Sequence, residues 1–486
     1  MQWKALGAGL LLAAIGASSS LAARRPVTGC PHAGKPALAA DARPHALRVF
    51  AIQFEQRPAE LADDASYARA IDCVMRLEVA PYLAHGRPNL VVFDEDQGLE
   101  TLAAGPRGAA ARRLLLAGVP ACRGQSFPCA TLATLAALND GYARALRYLE
   151  PRFPGLSKQL GRVFVAGSDQ FARVFMAAMA RAALRYHVYM IASNTQAPFR
   201  MTHDPRAIAA LAPPGAHAAY MPTAGRAYDQ AFLWGPSVVH RGAAPPMANL
   251  LAVNRKVPLT SFEQALGFAT GPARGAAARA NLRPVAIPGT GVRLGFATSL
   301  PAFEYGPAGA RACDDVALTY MRCLDKLGAN VLIQADANNG EWTGADGNER
   351  WQPLSWMGSA YRAVSDPTVR FAYAVNPMMV GNLADTPFDG QSAILERGRR
   401  GAGCHYVGTG AFVPGDDLPQ FRAYAGAKPQ FLALAPWVVA DGPRPTLRLI
   451  GSALAAGSRR YVQTALISDL PFPVDRSRHG CVVATR

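Results

Sequence analysis

Reactive side chains stand at or just after the ends of three apolar segments that are typical of buried strands. Glu95 closes the first segment, Lys256 follows the second, and Ser299 closes the third. A further carboxylate, Glu263, comes seven residues after Lys256. Because the binding groups of open α/β sheets gather where strands end, we expect these four side chains to share one site.

A set made of carboxylates, an amine and a hydroxyl suits acyl transfer. A carboxylate can act as a general base and take the proton of a nucleophile. An ammonium group can stabilise the oxyanion of a tetrahedral intermediate, and the nucleophile forms an acyl-enzyme that water later hydrolyses. A serine hydroxyl is not ionised near neutral pH, whereas a thiol is in part, so Ser299 needs a stronger assisting base.

The segments around these residues alternate between strand and helix patterns. Residues 46–54 and 89–93 are predicted to be strands, and apolar positions at helical spacing predict a helix over 66–84. Strand–helix–strand is the repeating unit of an α/β sheet. The same patterns predict further strands at 187–192, 231–234, 250–253, 292–299, 329–334 and 371–375, and helices at 171–186, 313–327 and 355–365. The fold class is therefore predicted as α/β.

The order of the motifs resembles that of the carbon–nitrogen hydrolase (nitrilase) superfamily. Residues 90–95 resemble the strand-plus-Glu motif of that family, and residues 254–259 resemble its Arg-Lys motif. Residues 293–301 resemble its third motif, in which Ser299 takes the position of the nucleophilic cysteine. Two downstream segments, 328–333 and 339–342, resemble the family's strand and Asn-Trp segment. The resemblance covers roughly residues 46–395.

This resemblance implies a fold and a role for each candidate residue. It implies a four-layer αββα sandwich that often associates as a homodimer. Glu95 would be the general base and Lys256 the oxyanion-stabilising group, while Glu263 would orient the base or the substrate. Ser299 would be the nucleophile. The implied activity is hydrolysis of a non-peptide C–N bond in a small-molecule amide or nitrile, without a cofactor.

Other functions fit the same residues. The serine at the cysteine position is also compatible with a catalytically inactive domain that keeps the fold for binding. An acyl-enzyme that passes its acyl group to an amine would make the chain an acyltransferase. A cysteine nucleophile is disfavoured, because Cys313 and Cys323 fall on the predicted helix after Ser299 rather than at the strand end.

The N-terminus and the cysteines indicate export. Lys4, a short apolar stretch and small residues that end near Ala23 predict a cleaved signal peptide over 1–23, and hence a secreted or periplasmic protein. A lipid anchor on Cys30 is a minor alternative. Eight cysteines permit disulfides in an exported chain. Two pairs are close in sequence, namely Cys122 with Cys129 and Cys313 with Cys323.

Composition and charge exclude some functions and bound the domains. The net charge is +16, but the arginines are scattered without a long basic run, so nucleic-acid binding is not predicted. The sequence contains neither a CxxC pair nor an HExxH motif, so it predicts no metal site. After a linker at 24–45, we predict a carbon–nitrogen hydrolase-like domain over 46–415 with a helical insertion at about 100–165. A C-terminal extension over 416–486 is predicted to pack on that domain.

Overall fold

The computed structural model describes most of the central part of the chain. The described residues are 30, 35–39, 43, 45–122, 128–339, 352–383, 386–398, 431–435, 461–475 and 480–483. The predicted signal peptide at 1–23, most of the linker at 24–45 and most of the extension at 416–486 lie outside these ranges, and so do residues 340–342 of the Asn-Trp segment.

Strands occur wherever the sequence alternates or runs apolar between turn residues. The described strands are β1 (Ala37–Ala39), β2 (Leu47–Gln53), β3 (Glu55–Gln56), β4 (Asn89–Val92), β5 (Tyr189–Gln196), β6 (Phe199–Thr202), β7 (Ala219–Pro222), β8 (Tyr228–Trp234), β9 (Leu250–Arg255), β10 (Val285–Ala286), β11 (Arg293–Phe296), β12 (Val331–Ile333), β13 (Tyr373–Asn376), β14 (Val380–Leu383), β15 (Thr386–Phe388), β16 (Ala393–Glu396), β17 (Phe431–Leu434), β18 (Thr464–Leu470) and β19 (Val482–Val483).

Helices fill the intervals between the strands. The described α-helices are α1 (Asp64–Val74), α2 (Ala109–Ala117), α3 (Cys129–Gly141), α4 (Ala143–Leu149), α5 (Val163–Ala166), α6 (Ser168–Phe171), α7 (Ala177–Tyr186), α8 (Pro205–Leu211), α9 (Ser261–Leu266), α10 (Gly275–Asn281), α11 (Val316–Lys326) and α12 (Gln352–Ser365). Three of them, α2 to α4, lie within the segment at about 100–165 for which helices are predicted, and α5 begins at its end. The α/β class is confirmed.

Two seven-stranded sheets form the centre of the fold. The first has the order β1-β18-β2-β4-β5-β8-β9, and the second has the order β10-β11-β12-β13-β16-β17-β19. In the first sheet β4 is parallel to β5, while β8 is antiparallel to both β5 and β9. The end of β4, the start of β8 and the end of β9 therefore meet at one edge. In the second sheet β11, β12 and β13 are parallel.

An apolar core lies between the two sheets, and each sheet has a second core on its other face. Val49 and Ala51 of β2 pack in the shared core with residues of the second sheet, such as Val331. The alternate residues Phe50 and Ile52 face the opposite way and pack with α1 and α7, as the two-residue period of a strand requires. The second sheet packs its other face against α11 and α12. The three cores favour the predicted αββα sandwich, which stays a prediction.

A small third sheet connects the same ends of the two large sheets. It has the order β15-β14-β3, and β3 comes directly after β2, while β14 comes shortly after β13. Its parallel pairing of β14 with β3 therefore ties together the carboxyl ends of strands from both sheets. Those are the ends at which the candidate site residues follow their strands.

The described parts of the segment 416–486 are strands within the two large sheets. β18 lies between β1 and β2, parallel to the first and antiparallel to the second, and β17 pairs with β16. The described strands of this segment are members of the two sheets, and the division into a domain over 46–415 and an extension over 416–486 stays a prediction. The apolar pattern of a late strand does not reveal which earlier strands it will pair with.

Disulfides link the pairs that are close in sequence. Cys122–Cys129 and Cys313–Cys323 are bonded as predicted, and a third disulfide joins Cys30 to Cys73. Because that bond uses the Cys30 sulfur, it leaves no thiol for a lipid thioether and argues against the lipid-anchor alternative. Three disulfides are consistent with an oxidising compartment outside the cytoplasm. Among the described residues, no helix has the length and apolar content needed to cross a bilayer.

The Cys313–Cys323 disulfide fastens the segment after Ser299 to α11, since Cys323 lies on that helix. We predict that the double substitution Cys313→Ala with Cys323→Ala lowers the free energy of unfolding by about 3 kcal/mol, because the unfolded chain loses its cross-link. Urea unfolding followed by fluorescence measures this loss. The matched control is the pair Cys122→Ala with Cys129→Ala, which should lose a similar amount. An unchanged midpoint and slope for the 313/323 variant would contradict the prediction.

Candidate functional site

Glu95 and Lys256 form a buried ion pair at the edge where β4 and β9 end. The Lys256 Nζ lies 2.6 Å from Glu95 Oε1. The other Glu95 oxygen, Oε2, accepts the backbone N–H of Ala337 at 2.9 Å. Both side chains are almost fully buried. The two residues are far apart in sequence, and they meet because β8 reverses the chain direction between β5 and β9 and so brings the ends of β4 and β9 to the same edge.

The ammonium group of Lys256 contacts two further carboxylates. Glu263 Oε1 lies 2.9 Å from Lys256 Nζ, and Asp229 Oδ2 lies 3.1 Å from it. Asp229 belongs to β8, and its backbone carbonyl also accepts the Lys256 N–H at 2.9 Å. One buried cation is therefore shared among three carboxyl groups.

Glu263 is held in place by the first turn of α9. Thr260 is the N-cap of this helix, and its hydroxyl accepts the backbone N–H of Glu263. In return Glu263 Oε2 accepts both the N–H and the hydroxyl proton of Thr260, each at 2.7 Å. This reciprocal capping box fixes the carboxylate, so that its other oxygen points at Lys256. The Thr-x-x-Glu spacing at 260–263 is readable in the sequence.

Ser299 lies at a sharp turn between β11 and a short 3₁₀ turn at Leu300–Phe303. Its φ is 59° and its ψ is −121°, a conformation that strains any residue with a side chain. In α/β-hydrolases a strained turn between a strand and a helix presents the nucleophilic serine. Ser299 is buried, and within the described part of the chain its hydroxyl has no hydrogen-bond partner.

One short segment after β12 contacts both Ser299 and Glu95. The Ser299 N–H donates to the Ala335 carbonyl at 3.0 Å, and the Ala337 N–H donates to Glu95, as described above. Asp336, between these two alanines, is buried and accepts hydrogen bonds from Gln334 and Asn376, each at 2.8 Å. The structure therefore brings all four predicted residues to one end of the fold, with Glu95, Lys256 and Glu263 in direct contact and Ser299 across this segment.

Burial and nearby charges shift the pKa values of these groups. Burial raises the pKa of Glu95 to about 7, although Lys256 opposes the shift. Burial alone would lower the pKa of Lys256, but the three carboxylates outweigh it and hold the pKa well above its usual value. Burial alone would raise the pKa of Glu263, but the charge of Lys256 and the hydrogen bonds from Thr260 bring it below the usual value. Near neutral pH, Lys256 is charged, Glu263 is ionised and Glu95 is poised between its two forms.

Sequence reasoning missed two acidic residues beside this ion pair. Asp229 has no strand-end signal, because it lies at the start of β8 and reaches Lys256 only through the β8–β9 hairpin. Asp96 is visible as part of the acidic run after β4, and its Oδ1 accepts the N–H and hydroxyl of Thr195, each at 3.0 Å. Burial, and then Asp229, raise the pKa of Asp96 to about 7.

The three carboxyl groups around Lys256 are close enough together to bind a cation. One oxygen each from Glu95, Asp229 and Glu263 lies within 4.8 Å of the others. The Lys256 ammonium is 2.6–3.1 Å from all three side chains, so it already supplies the positive charge at their centre. A metal ion would have to displace it, and this donor set therefore does not fit a resident metal.

Removing the cation should make stability depend on pH. We predict that Lys256→Met lowers the free energy of unfolding by about 3–5 kcal/mol at about pH 8, because three buried carboxyl groups lose their counter-ion. Their folded-state pKa values then exceed the unfolded ones, so the variant loses stability as pH rises above about 4 and is less impaired at about pH 5. Urea titrations at both pH values measure the difference. The exposed Lys326→Met is the control, and a loss equal at both pH values would contradict the prediction.

Comparison with known proteins finds structural likeness only. No family model matches the chain, and no curated protein matches it. Similar solved structures include an amidase from Nesterenkonia sp. (13% identity, 73% of this chain and 84% of that chain, TM-score 0.35). They also include a mutant amidase of Nesterenkonia AN1 from the nitrilase superfamily (12%, 73% and 86%, 0.36) and a carbon–nitrogen hydrolase from Helicobacter pylori G27 (12%, 73% and 83%, 0.37). The chain is similar to these proteins, and at such identities and TM-scores no residue role follows from the similarity.

Proposed function

We propose that this chain is an exported carbon–nitrogen hydrolase of the nitrilase type that cleaves a small-molecule amide or nitrile. The supporting observation is the buried Lys256–Glu95 ion pair. The segment at 335–337 connects it to Ser299, because its backbone accepts a hydrogen bond from Ser299 and donates one to Glu95. A base, a cation and a hydroxyl at a strained turn are the groups that acyl transfer requires. Export is supported by the three disulfides and by the predicted signal peptide, and a homodimer is part of the same proposal.

In the first half of the proposed reaction, Ser299 adds to the amide and forms a tetrahedral intermediate. The Ser299 Oγ forms a bond to the carbonyl carbon of the amide while its proton passes to the Glu95 carboxylate. The carbonyl π electrons move to the oxygen, and the Lys256 ammonium stabilises the resulting oxyanion. A base with a pKa near the working pH is suited to this transfer, and burial gives Glu95 a pKa of about 7.

The second half restores the enzyme. Glu95 gives the proton to the departing nitrogen as the C–N bond breaks, which leaves an ester between Ser299 and the acyl group. Water then attacks this ester, with Glu95 again accepting a proton, and the carboxylic acid is released as the Ser299 hydroxyl re-forms. Glu263, fixed by its capping box, orients the Lys256 ammonium throughout.

A binding protein without catalysis is the second candidate, and one observation favours it. Both Glu95 oxygens already accept hydrogen bonds, from Lys256 and from Ala337, and in the described part of the chain no hydrogen bond joins the Ser299 hydroxyl to a base. Catalytic hydrogen bonds are often long in the free enzyme and shorten only when substrate binds, so an assay is needed to distinguish the two candidates.

Substitution of the nucleophile separates the candidates. With a panel of amides and nitriles, we expect Ser299→Ala to lower turnover by about a thousandfold or more and to abolish the acyl adduct seen by intact-mass spectrometry. Glu95→Gln should have a comparable effect because it removes the base. The exposed Ser157→Ala is the control. The binding protein would be favoured if the wild type gave no product or adduct and Ser299→Ala bound ligand as well as the wild type does. In that case Ser299→Cys would show whether the site can still be acylated.

The pH profile tests the base. Because Glu95 must be ionised to accept a proton and burial raises its pKa to about 7, kcat/KM should rise about tenfold per pH unit below pH 7 and level off above it. The Lys256 ammonium keeps its proton across this range, since its pKa lies well above the usual value. Stopped-time product assays from about pH 5 to 9 give the profile. A plateau that extends down to pH 5 would exclude Glu95 as the base.

A further inference from the structure

Asp229 is the carboxyl group of the site with the fewest hydrogen-bond donors. Its side chain is fully buried, and among the residues that the structure describes Lys256, whose Nζ lies 3.1 Å away, is its only charged partner. No N–H or O–H of the described residues donates a hydrogen bond to either of its oxygens. Glu263 accepts two hydrogen bonds, both from Thr260, and Glu95 also accepts two, from Lys256 and from Ala337.

The charges around Lys256 do not balance if every carboxyl group is ionised. One ammonium would face Glu95, Asp229 and Glu263, which gives a net charge of −2 in a buried site. An uncompensated buried charge is strongly unfavourable, so a group in such a site takes up a proton instead. The proton belongs on the carboxyl group that the fewest donors stabilise as an anion, and that group is Asp229.

A protonated Asp229 has a partner for its proton in Glu95. One carboxyl oxygen of each residue lies within the 4.8 Å cluster around Lys256, and, after burial, a side-chain hydrogen bond with Glu95 is among the causes that raise the pKa of Asp229. Burial, and then the negative charges of Glu95 and Glu263, raise the pKa of Asp229 well above its usual value despite Lys256. Other titratable groups that interact with this cluster are Asp96 after β4, Tyr320 of α11 and Asp336 after β12.

We propose that Asp229 is a carboxylic acid in the resting site and that its O–H donates a hydrogen bond to the Glu95 carboxylate. This inference rests on the proposed function, because it makes Asp229 a positioning residue for the proposed base. The donated hydrogen bond keeps Glu95 ionised and oriented beside Lys256. The net charge of the four groups is then −1, with Glu95 and Glu263 as the two anions. Asp229 keeps its proton through the reaction.

The protonation state can be measured without any turnover. The infrared difference spectrum between wild type and Asp229→Asn at pH 7 should contain the C=O stretching band of one protonated carboxyl group, shifted by deuterium oxide. Asp469→Asn, which removes a buried carboxylate that is ion-paired with Arg48, should give no such band. If the difference spectrum between wild type and Asp229→Asn lacks this band, Asp229 is ionised in the wild type and the proposal is overturned. This holds whether or not the protein hydrolyses amides.

The role of the proton is tested by two variants in the hydrolysis assay. Asp229→Asn keeps a neutral hydrogen-bond donor beside Glu95, so kcat/KM should stay within about threefold of wild type with an unchanged acid limb. Asp229→Leu removes the donor, so the acid limb should move to higher pH and kcat should fall by about tenfold or more. If Asp229 were ionised, Asp229→Asn would instead remove a negative neighbour and shift the acid limb to lower pH, which would refute the proposal.

Stability gives an independent reading of the same proton. When the pKa of a buried acid is higher in the folded than in the unfolded chain, the folded chain holds one more proton above about pH 4. The free energy of unfolding therefore falls as the pH rises toward the folded-state pKa. The ratio of the unfolding constants of wild type and Asp229→Asn should therefore rise by up to about tenfold per pH unit in that window. A ratio that is constant from pH 5 to 8 would contradict a protonated Asp229.

Discussion

The charge of Lys256 is the constraint on which the rest of the site depends. A lysine ammonium is stable in the interior only if it is paired with negative charge, and here three carboxyl groups from three separate elements surround it. Each of these elements must therefore reach the same point: the end of β4, the start of β8 and the first turn of α9. The direction of β8, the β8–β9 register and the capping box of α9 are the structural means by which they do.

The same ion pair determines what chemistry the site can support. With Lys256 charged, Glu95 sits beside a fixed cation in a buried environment, where the field of that cation is strong. Burial raises the pKa of Glu95, and the charge of Lys256 lowers it. Together they leave a carboxyl group that can accept and return a proton near neutral pH. A surface Glu–Lys pair would have neither effect, because water would screen both charges.

The sequence predicts most of the strands and the side chains that gather at their ends, because both have local signals. β4, β9 and β11 are short apolar runs, and each ends near a reactive side chain. What it does not predict depends on pairing between distant segments. Asp229 reaches Lys256 only through the register of the β8–β9 hairpin, and β18 takes its place in the first sheet through partners hundreds of residues away. The hairpin β6–β7 and helix α8 are also absent from the predicted elements, because the prolines and polar residues of the segment at 197–228 are typical of a loop.

The position of β18 affects how the chain folds after synthesis. This strand pairs Leu466 with Ala37 on one side and with Ala51 on the other, so the first sheet stays split until residues near 470 have left the ribosome. Sheets that depend on such long-range pairing form slowly, since the loop-closure entropy must be overcome before the contacts contribute. The strand order of the first sheet is therefore complete only once β18, at Thr464–Leu470, can insert between β1 and β2.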